Sequence, residues 1–195
     1  FIMAVGNIFG VGGSSYISRS LGEGKYEEVK KTSAFCFYMG IAAAIVVMII
    51  FFVFMDPIVK GIGADENTYG FAKQYLTYIA SGSIFVVISM AFGNIVRSEG
   101  AAKVSMAGMM LGTVVNIVLD PIMILYLGMG VAGAAIATVI GNISTVIFYL
   151  IYLKKGKTIL DISKSHFKIT KKIAKNVFTI GIPASITNVL MGLSN

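Results

Sequence analysis

Long apolar stretches separated by short polar segments dominate this chain, and they predict helices that cross a membrane. We interpret six such stretches as the spans of an all-α polytopic bundle: residues 1–17, 35–55, 75–96, 104–127, 131–153 and 177–195. A helix needs about 20 predominantly apolar residues to cross a bilayer, and each of the four inner stretches is that long. The first and last stretches are cut by the chain ends, so we expect an internal piece of a longer protein.

The composition also favours a membrane protein and narrows its chemistry. Only 13% of the residues are charged and 56% are hydrophobic, whereas soluble domains carry about 25% charged residues. The single cysteine, Cys36, and the single histidine, His166, argue against a disulfide, a zinc site or haem. We therefore expect that the protein holds no resident cofactor and is not an enzyme.

The basic residues orient the predicted spans. Sixteen Lys and Arg residues against nine Asp and Glu residues give a net charge of +7, which in a soluble protein would suggest a nucleic-acid partner. Here fourteen of them lie in alternate segments, at 19–31, 97–103 and 154–175, and the other side holds only Lys60 and Lys73. By the positive-inside rule the basic segments are cytoplasmic, so we expect no nucleic acid. The segment 154–175 is predicted to be a loop, or a helix lying at the membrane interface.

One acidic residue, Asp120, lies inside the fourth and fifth apolar stretches. Placing Asp at the centre of a membrane helix costs about 2.5–3.5 kcal/mol, so such a residue usually binds an ion, carries a proton or pairs. At 1.5 Å per residue, Asp120 and Thr138 both lie about 10 Å from the outer ends of their helices. Asn116 and Asn142 lie one turn deeper. Their oxygens together would suit a hard cation, or a proton held on the acid.

A purely structural role is the alternative for each of these residues. Asp120 could cap a helix end, although the seven residues that follow it are apolar or tyrosine. Asn116, Thr138 and Asn142 could serve as interhelical hydrogen bonds, worth about 0.6 kcal/mol each. The glycine pattern at 128–133 matches a dinucleotide-binding motif, but it joins two predicted spans instead of opening a βαβ unit, so we reject a nucleotide role.

Five stretches together carry a resemblance to a known family. They are GSSYISRSLG at 13–22 with Gly24, residues 76–100 ending in RSEG, NIVLDP at 116–121, GVAGAAIAT at 130–138 and IGIPA at 180–184. In this order and spacing the chain resembles multidrug and toxic compound extrusion (MATE) transporters, of the wider flippase and drug-antiporter superfamily. The likeness covers the whole chain, from about helix two to the start of helix seven.

The resemblance implies a twelve-helix transporter of two lobes. Residues 1–153 would belong to the N-terminal lobe without its first helix, 154–175 would be the cytoplasmic linker, and 176–195 would begin the C-terminal lobe. The family's cation site would correspond to Asp120, Asn116, Thr138 and Asn94, with Na⁺ at the first three as one option. The RSEG form is similar to bacterial and archaeal members, which implies a multi-pass protein of a prokaryotic inner membrane.

The function implied by the resemblance is antiport driven by H⁺ or Na⁺, which exports organic, often cationic drugs or toxic compounds by alternating access. Expected partners are a drug-like small molecule, a monovalent cation, the lipid bilayer and the remaining half of the same polypeptide. The main alternative is a lipid-linked saccharide flippase of the same superfamily. A cavity lined by Arg and Lys would favour the flippase, and the predicted spans are nearly free of both.

Overall fold

In a computed structural model the chain folds into a bundle of α-helices and one π-helical segment. The structure describes residues 2–61, 63, 65, 68–156 and 158–193, without the side chains of 188, 189 and 191–193. The elements are α1 (Ile2–Gly22), α2 (Tyr26–Val53), α3 (Met55–Gly61), α4 (Tyr69–Ser81), α5 (Ser83–Ser98), α6 (Ala102–Pro121), π1 (Ile122–Tyr126), α7 (Gly130–Lys154) and α8 (Lys171–Leu193). No strand occurs within this described part, and the predicted all-α class is confirmed.

The six predicted spans correspond to α1, α2, the pair α4–α5, α6 with π1, α7 and α8. Three helical runs in the described residues are long and apolar enough to cross a bilayer: Tyr26–Val53, Ala102–Tyr126 and Gly130–Lys154. The pair α4–α5 makes a fourth if its two bent helices form one span. The two remaining predicted spans are the helices at the ends of the chain.

Helix α1 packs against α2, α5 and α8, and its small residues allow this. A β-carbon added at Gly12 would overlap the carbonyl oxygen of Val177 in α8, and one at Gly181 would overlap the carbonyl oxygen of Ile8. The two backbones therefore meet where no side chain fits. Close approach through small residues is the usual way in which membrane helices gain packing contacts.

The third predicted span, 75–96, is not one straight helix. The chain bends by 58° between α4 and α5, and Gly82 lies at the bend. A β-carbon on Gly82 would overlap the side chain of Val139 in α7. Because the Val139 side chain packs directly against the bend, only a glycine leaves room for it there.

Helices α6 and α7 form the predicted antiparallel pair, joined by the turn at 128–130. Proline has no backbone N–H, and its ring conflicts with the carbonyl group of the preceding turn. Immediately after Pro121 the helix widens into π1, where the N–H of Leu127 donates to the carbonyl oxygen of Ile122 at 2.9 Å. Such π-helical turns are frequent at functional sites. The predicted turn and the two helices on either side of it are present.

The basic segment 154–175 does not form an interfacial helix. Its described residues between 158 and 170 are irregular, and α8 begins at Lys171. Two side chains of α2 hold this backbone. The Ser33 hydroxyl donates to the carbonyl oxygen of Asp161 at 2.8 Å, and the Tyr38 hydroxyl donates to that of Ile162 at 3.0 Å. These two contacts hold the irregular backbone of the segment against α2.

Candidate ion site and cavity

Three of the predicted site residues meet between α6 and α7. The amide nitrogen of Asn116 lies 3.4 Å from Oδ1 of Asp120 and 3.4 Å from Oγ1 of Thr138. Asp120 follows Asn116 by one turn of α6, whereas Thr138 belongs to the facing helix. All three side chains are half-buried. The structure thus brings a carboxylate, an amide and a hydroxyl to one point.

A close backbone crossing sets this geometry. Gly112 lies one turn before Asn116 on α6, and Gly141 lies one turn after Thr138 on α7. A β-carbon on Gly141 would lie 2.7 Å from the carbonyl oxygen of Gly112 and 3.3 Å from Cβ of Asn116. The two glycines therefore bring the helices close enough for the short side chains of Asn116 and Thr138 to reach each other.

The hydrogen bonds define what this cluster can do chemically. The Thr138 hydroxyl donates to the carbonyl oxygen of Ala134 at 2.9 Å, so its oxygen is left to accept from Asn116. In this arrangement the Asn116 amide donates to both neighbours. If the amide rotates, its oxygen faces the same point, and three oxygens of different types then converge. Oxygen ligands of this kind suit a hard cation, and the carboxylate alone suits a proton.

Asn142 and Ser89 extend the polar contacts to α5. The Asn142 amide nitrogen donates to the carbonyl oxygen of Thr138 at 2.9 Å, and Oδ1 of Asn142 lies 2.6 Å from the Ser89 hydroxyl. Depth along the two helices predicts Asn142 around the same point as Asn116, but its side chain turns towards α5 instead. Sequence reasoning missed Ser89. Its signal is one hydroxyl in the apolar run 84–93, which is weak because serine often bonds within its own helix, as Ser89 also does with Val86 at 3.0 Å.

Asn94, the fourth residue implied by the resemblance, lies apart from Asp120. Its amide nitrogen donates to the carbonyl oxygen of Met90 at 3.1 Å. The same nitrogen packs against α1, because a β-carbon on Gly10 would lie 2.9 Å from it. Asn94 shares only a cavity wall with Asn116 and Thr138.

A cavity of about 660 Å³ opens beside the cluster, between α1, α4, α5, α6 and α7. Its polar lining comes from Asn7, Tyr75, Ser89, Asn94, Arg97, Thr113, Asn116, Thr138, Asn142 and Thr145. Its apolar lining comes from Ile2, Met3, Ile79, Val86, Met90 and Met109, with three glycines between them. The volume is that of a site for a drug-sized compound. Asp120 is not among these lining residues and lies one turn beyond Asn116.

Comparison with known proteins assigns the chain to a family. The family model for MatE matches residues 1–122, which is more than half of the chain. The chain belongs to the MatE family. The multidrug export protein MepA of Staphylococcus aureus (strain NCTC 8325 / PS 47) is 36% identical over 193 residues, covering 99% of this MatE chain and 43% of MepA. MepA of Staphylococcus saprophyticus is 35% identical with the same coverage. This MatE chain therefore spans less than half the length of these relatives.

Solved structures agree with the MatE assignment. An inward-facing multidrug resistance MATE family transporter of the MOP superfamily matches with a TM-score of 0.93 and 30% identity, over 98% of this chain and 44% of that one. The outward-facing conformation of such a transporter matches with a TM-score of 0.90 and 30% identity, over 98% of this chain and 43% of that one. A MOP superfamily transporter from Pyrococcus furiosus matches with a TM-score of 0.91 and 29% identity, over 98% of this chain and 43% of that one. Its binding pocket is described as having reverse polarity. The fold of this MatE chain is thus common to both conformations.

The family and the helices together confirm two predictions. The resemblance drawn from five sequence stretches is correct, and the MatE chain is part of an integral membrane protein of the cell membrane.

Proposed function

We propose that the whole protein is a cation-coupled antiporter that exports organic, often cationic compounds by alternating access, driven by H⁺ or Na⁺. Relatives that are multidrug export proteins support this proposal. The observation that carries it is the Asn116 amide, 3.4 Å from both Asp120 and Thr138, on the wall of a 660 Å³ cavity. One side chain thereby touches both an acid that can load a cation and the space that can hold a compound.

In this proposal the chain divides as its sequence suggests. Residues 1–153 belong to the N-terminal lobe, 154–175 form a cytoplasmic linker, and 176–195 begin the C-terminal lobe. The remaining polypeptide supplies the first helix and most of the other lobe. The irregular backbone at 158–170 supports the linker role, since it reaches α8 while held by Ser33 and Tyr38 of α2.

Coupling would begin at Asp120. When a proton or Na⁺ binds the carboxylate, its negative charge is neutralised, and the Asn116 amide loses its strongest acceptor. The amide then bonds Thr138 alone or turns its oxygen towards the ion, and in both cases the wall of the cavity changes. The cation and the compound favour different states of this wall. Each therefore shifts the population that the other binds, and the two are exchanged across the membrane.

One observation favours the alternative of a lipid-linked saccharide flippase. Arg97 lines the cavity, and a guanidinium suits the phosphate groups of such a lipid. Against this, Arg97 is the only charged residue among those that line the cavity in the described part of the chain. A lipid-linked phosphate with several negative charges calls for more than one cation, so we prefer the exporter.

The test uses the full-length parent protein in vesicles loaded with a fluorescent cationic dye. A sodium gradient and a proton gradient are imposed separately, and dye efflux is followed for the unaltered protein and for Asp120→Asn. We expect efflux to follow one gradient and to vanish in the variant. The control is Asp56→Asn, the same chemical change on the predicted outer side, which should export normally. Gradient-driven efflux that persists in Asp120→Asn would refute the role of Asp120.

A further inference from the structure

A second cavity, of about 210 Å³, lies between the C-terminal parts of α1 and α5. Its lining residues in the described part of the chain are all polar: Ser14, Ser15, Ser18, Asn94, Arg97 and Ser98. Only one of them carries a charge, and it is positive. The distribution of basic residues assigns this end of the bundle to the cytoplasm.

The exposed Arg97 guanidinium has no hydrogen-bond or ion-pair partner within the described residues. No carboxylate there lies within ion-pairing distance of it. Glu99 is close in sequence, but its oxygens accept from the hydroxyls of Tyr152 and Thr158 at 2.8 and 2.6 Å and from the Ile159 N–H at 3.3 Å. Guanidinium presents five N–H donors in a planar fork that matches carboxylate and phosphate groups. Arg97 is therefore available to a ligand.

Further donors surround the same space. An asparagine amide carries two N–H donors, and Asn94 commits one to the carbonyl oxygen of Met90 at 3.1 Å. The Ser14 and Ser98 hydroxyls bond carbonyl groups of their own helices at 3.0 and 2.7 Å, and a hydroxyl rotates to suit a new acceptor. Ser15 adds a further hydroxyl. With several donors, one positive charge and no carboxylate among its described lining residues, the cavity suits an anion.

Asn94 and Arg97 line the large cavity as well as the small one, so the two spaces meet at these side chains. We propose that Arg97, with Asn94 and Ser15, forms an oxyanion subsite at the inner end of the large cavity, which takes the carboxylate or phosphate group of an exported compound. This inference rests on the proposed export function and names the residues that would hold an anionic group of an exported compound. A compound on the apolar wall of Met90 and Met109 can present such a group to Arg97.

The first experiment measures binding, which does not depend on transport. The full-length parent protein in neutral detergent is titrated with a rhodamine that has a free carboxylate, and with its methyl ester, a net cation, while dye anisotropy is followed. Arg97→Gln should weaken binding of the carboxylate dye about tenfold, the lower end for a lost charge-assisted hydrogen bond, and leave the ester unchanged. Arg97→Lys keeps the charge without the planar fork of donors. Its affinity for the carboxylate dye should lie between those of the unaltered protein and Arg97→Gln. Lys103→Gln, on the same side but lining neither cavity, should change nothing.

Three results would overturn the subsite. Arg97→Gln could weaken both dyes equally, which would indicate a general effect on the cavity or the fold. It could weaken neither, which would mean that no carboxylate is bound there. The selective effect of Arg97→Gln on the carboxylate dye could also disappear in nanodiscs of phosphatidylglycerol while persisting in those of phosphatidylcholine. That result would assign the donors to a lipid headgroup. If the preference holds but neither dye is exported from vesicles, the export function fails and the subsite stands.

Discussion

The crossing of α6 and α7 requires glycine at 112 and 141, because the two backbones leave no room for a side chain there. In Gly141→Ala the new methyl group would lie 2.7 Å from the carbonyl oxygen of Gly112, whereas ordinary contacts of this kind begin at 3.4 Å. The helices must therefore separate by about 0.7 Å. The same displacement would lengthen the contact of Asn116 with Thr138 from 3.4 Å to about 4.1 Å, which is too long for a hydrogen bond.

Two consequences of Gly141→Ala are measurable in the full-length protein. Overpacking of this kind costs about 1–3 kcal/mol, so the thermal midpoint should fall. Loss of one hydrogen bond, worth about 1 kcal/mol, should weaken the apparent affinity for the coupling cation in efflux assays about fivefold. The matched control is Gly70→Ala in α4, where a β-carbon would meet nothing within 4 Å. Gly141→Ala with the stability and cation dependence of that control would refute the argument.

Two further predictions concern single groups. Thr138→Val keeps the shape but removes the acceptor that faces Asn116, so the cation concentration for half-maximal efflux should rise several-fold, about what one hydrogen bond contributes, while Thr138→Ser should restore it. Burial alone would raise the pKa of Asp161, but hydrogen bonds from Ser163 and the neighbouring His166 outweigh it and hold that pKa below its ordinary value. Asp161 therefore stabilises the docked segment 158–170 above about pH 4, and this contribution is lost as pH falls through the lowered pKa. The amide protection factors of the segment, which correct for the slower intrinsic exchange in acid, should fall as the pH is lowered in the unaltered protein, and Asp161→Asn should abolish that dependence.

The parts of the site that sequence could predict are those fixed by helix periodicity and loop length. Asn116 and Asp120 are four residues apart, so they lie on one face of a helix. The short turn at 128–130 makes α6 and α7 antiparallel neighbours, which places Thr138 within their reach. Depth along each helix follows from counting residues, and this was enough to bring three side chains together.

Rotation about a helix axis and packing between distant helices could not be obtained in this way. Asn142 lies at the depth of Asn116, yet it faces α5, because its direction depends on where α7 packs. The bend at Gly82 packs against the side chain of Val139, which is remote in sequence. Counting basic residues identified Arg97 as a topology signal, but the count carries no information on the side chain's direction, and so the two cavities it lines were not foreseen.

The charges around the cavity connect the proposed coupling with the proposed subsite. Arg97 is the single charged lining residue in the described part of the chain, and Asp120 lies one turn behind Asn116. On the proposed function, a cation on Asp120 cancels the negative charge near the outer end of α6, while Arg97 keeps its positive charge at the inner end of the cavity. Because Asp120 is half-buried, the loss of its charge removes an attraction for a cationic compound without direct contact. A zwitterion loses less, because its anionic group pairs with Arg97, so charge alone would favour exchange of cation for compound.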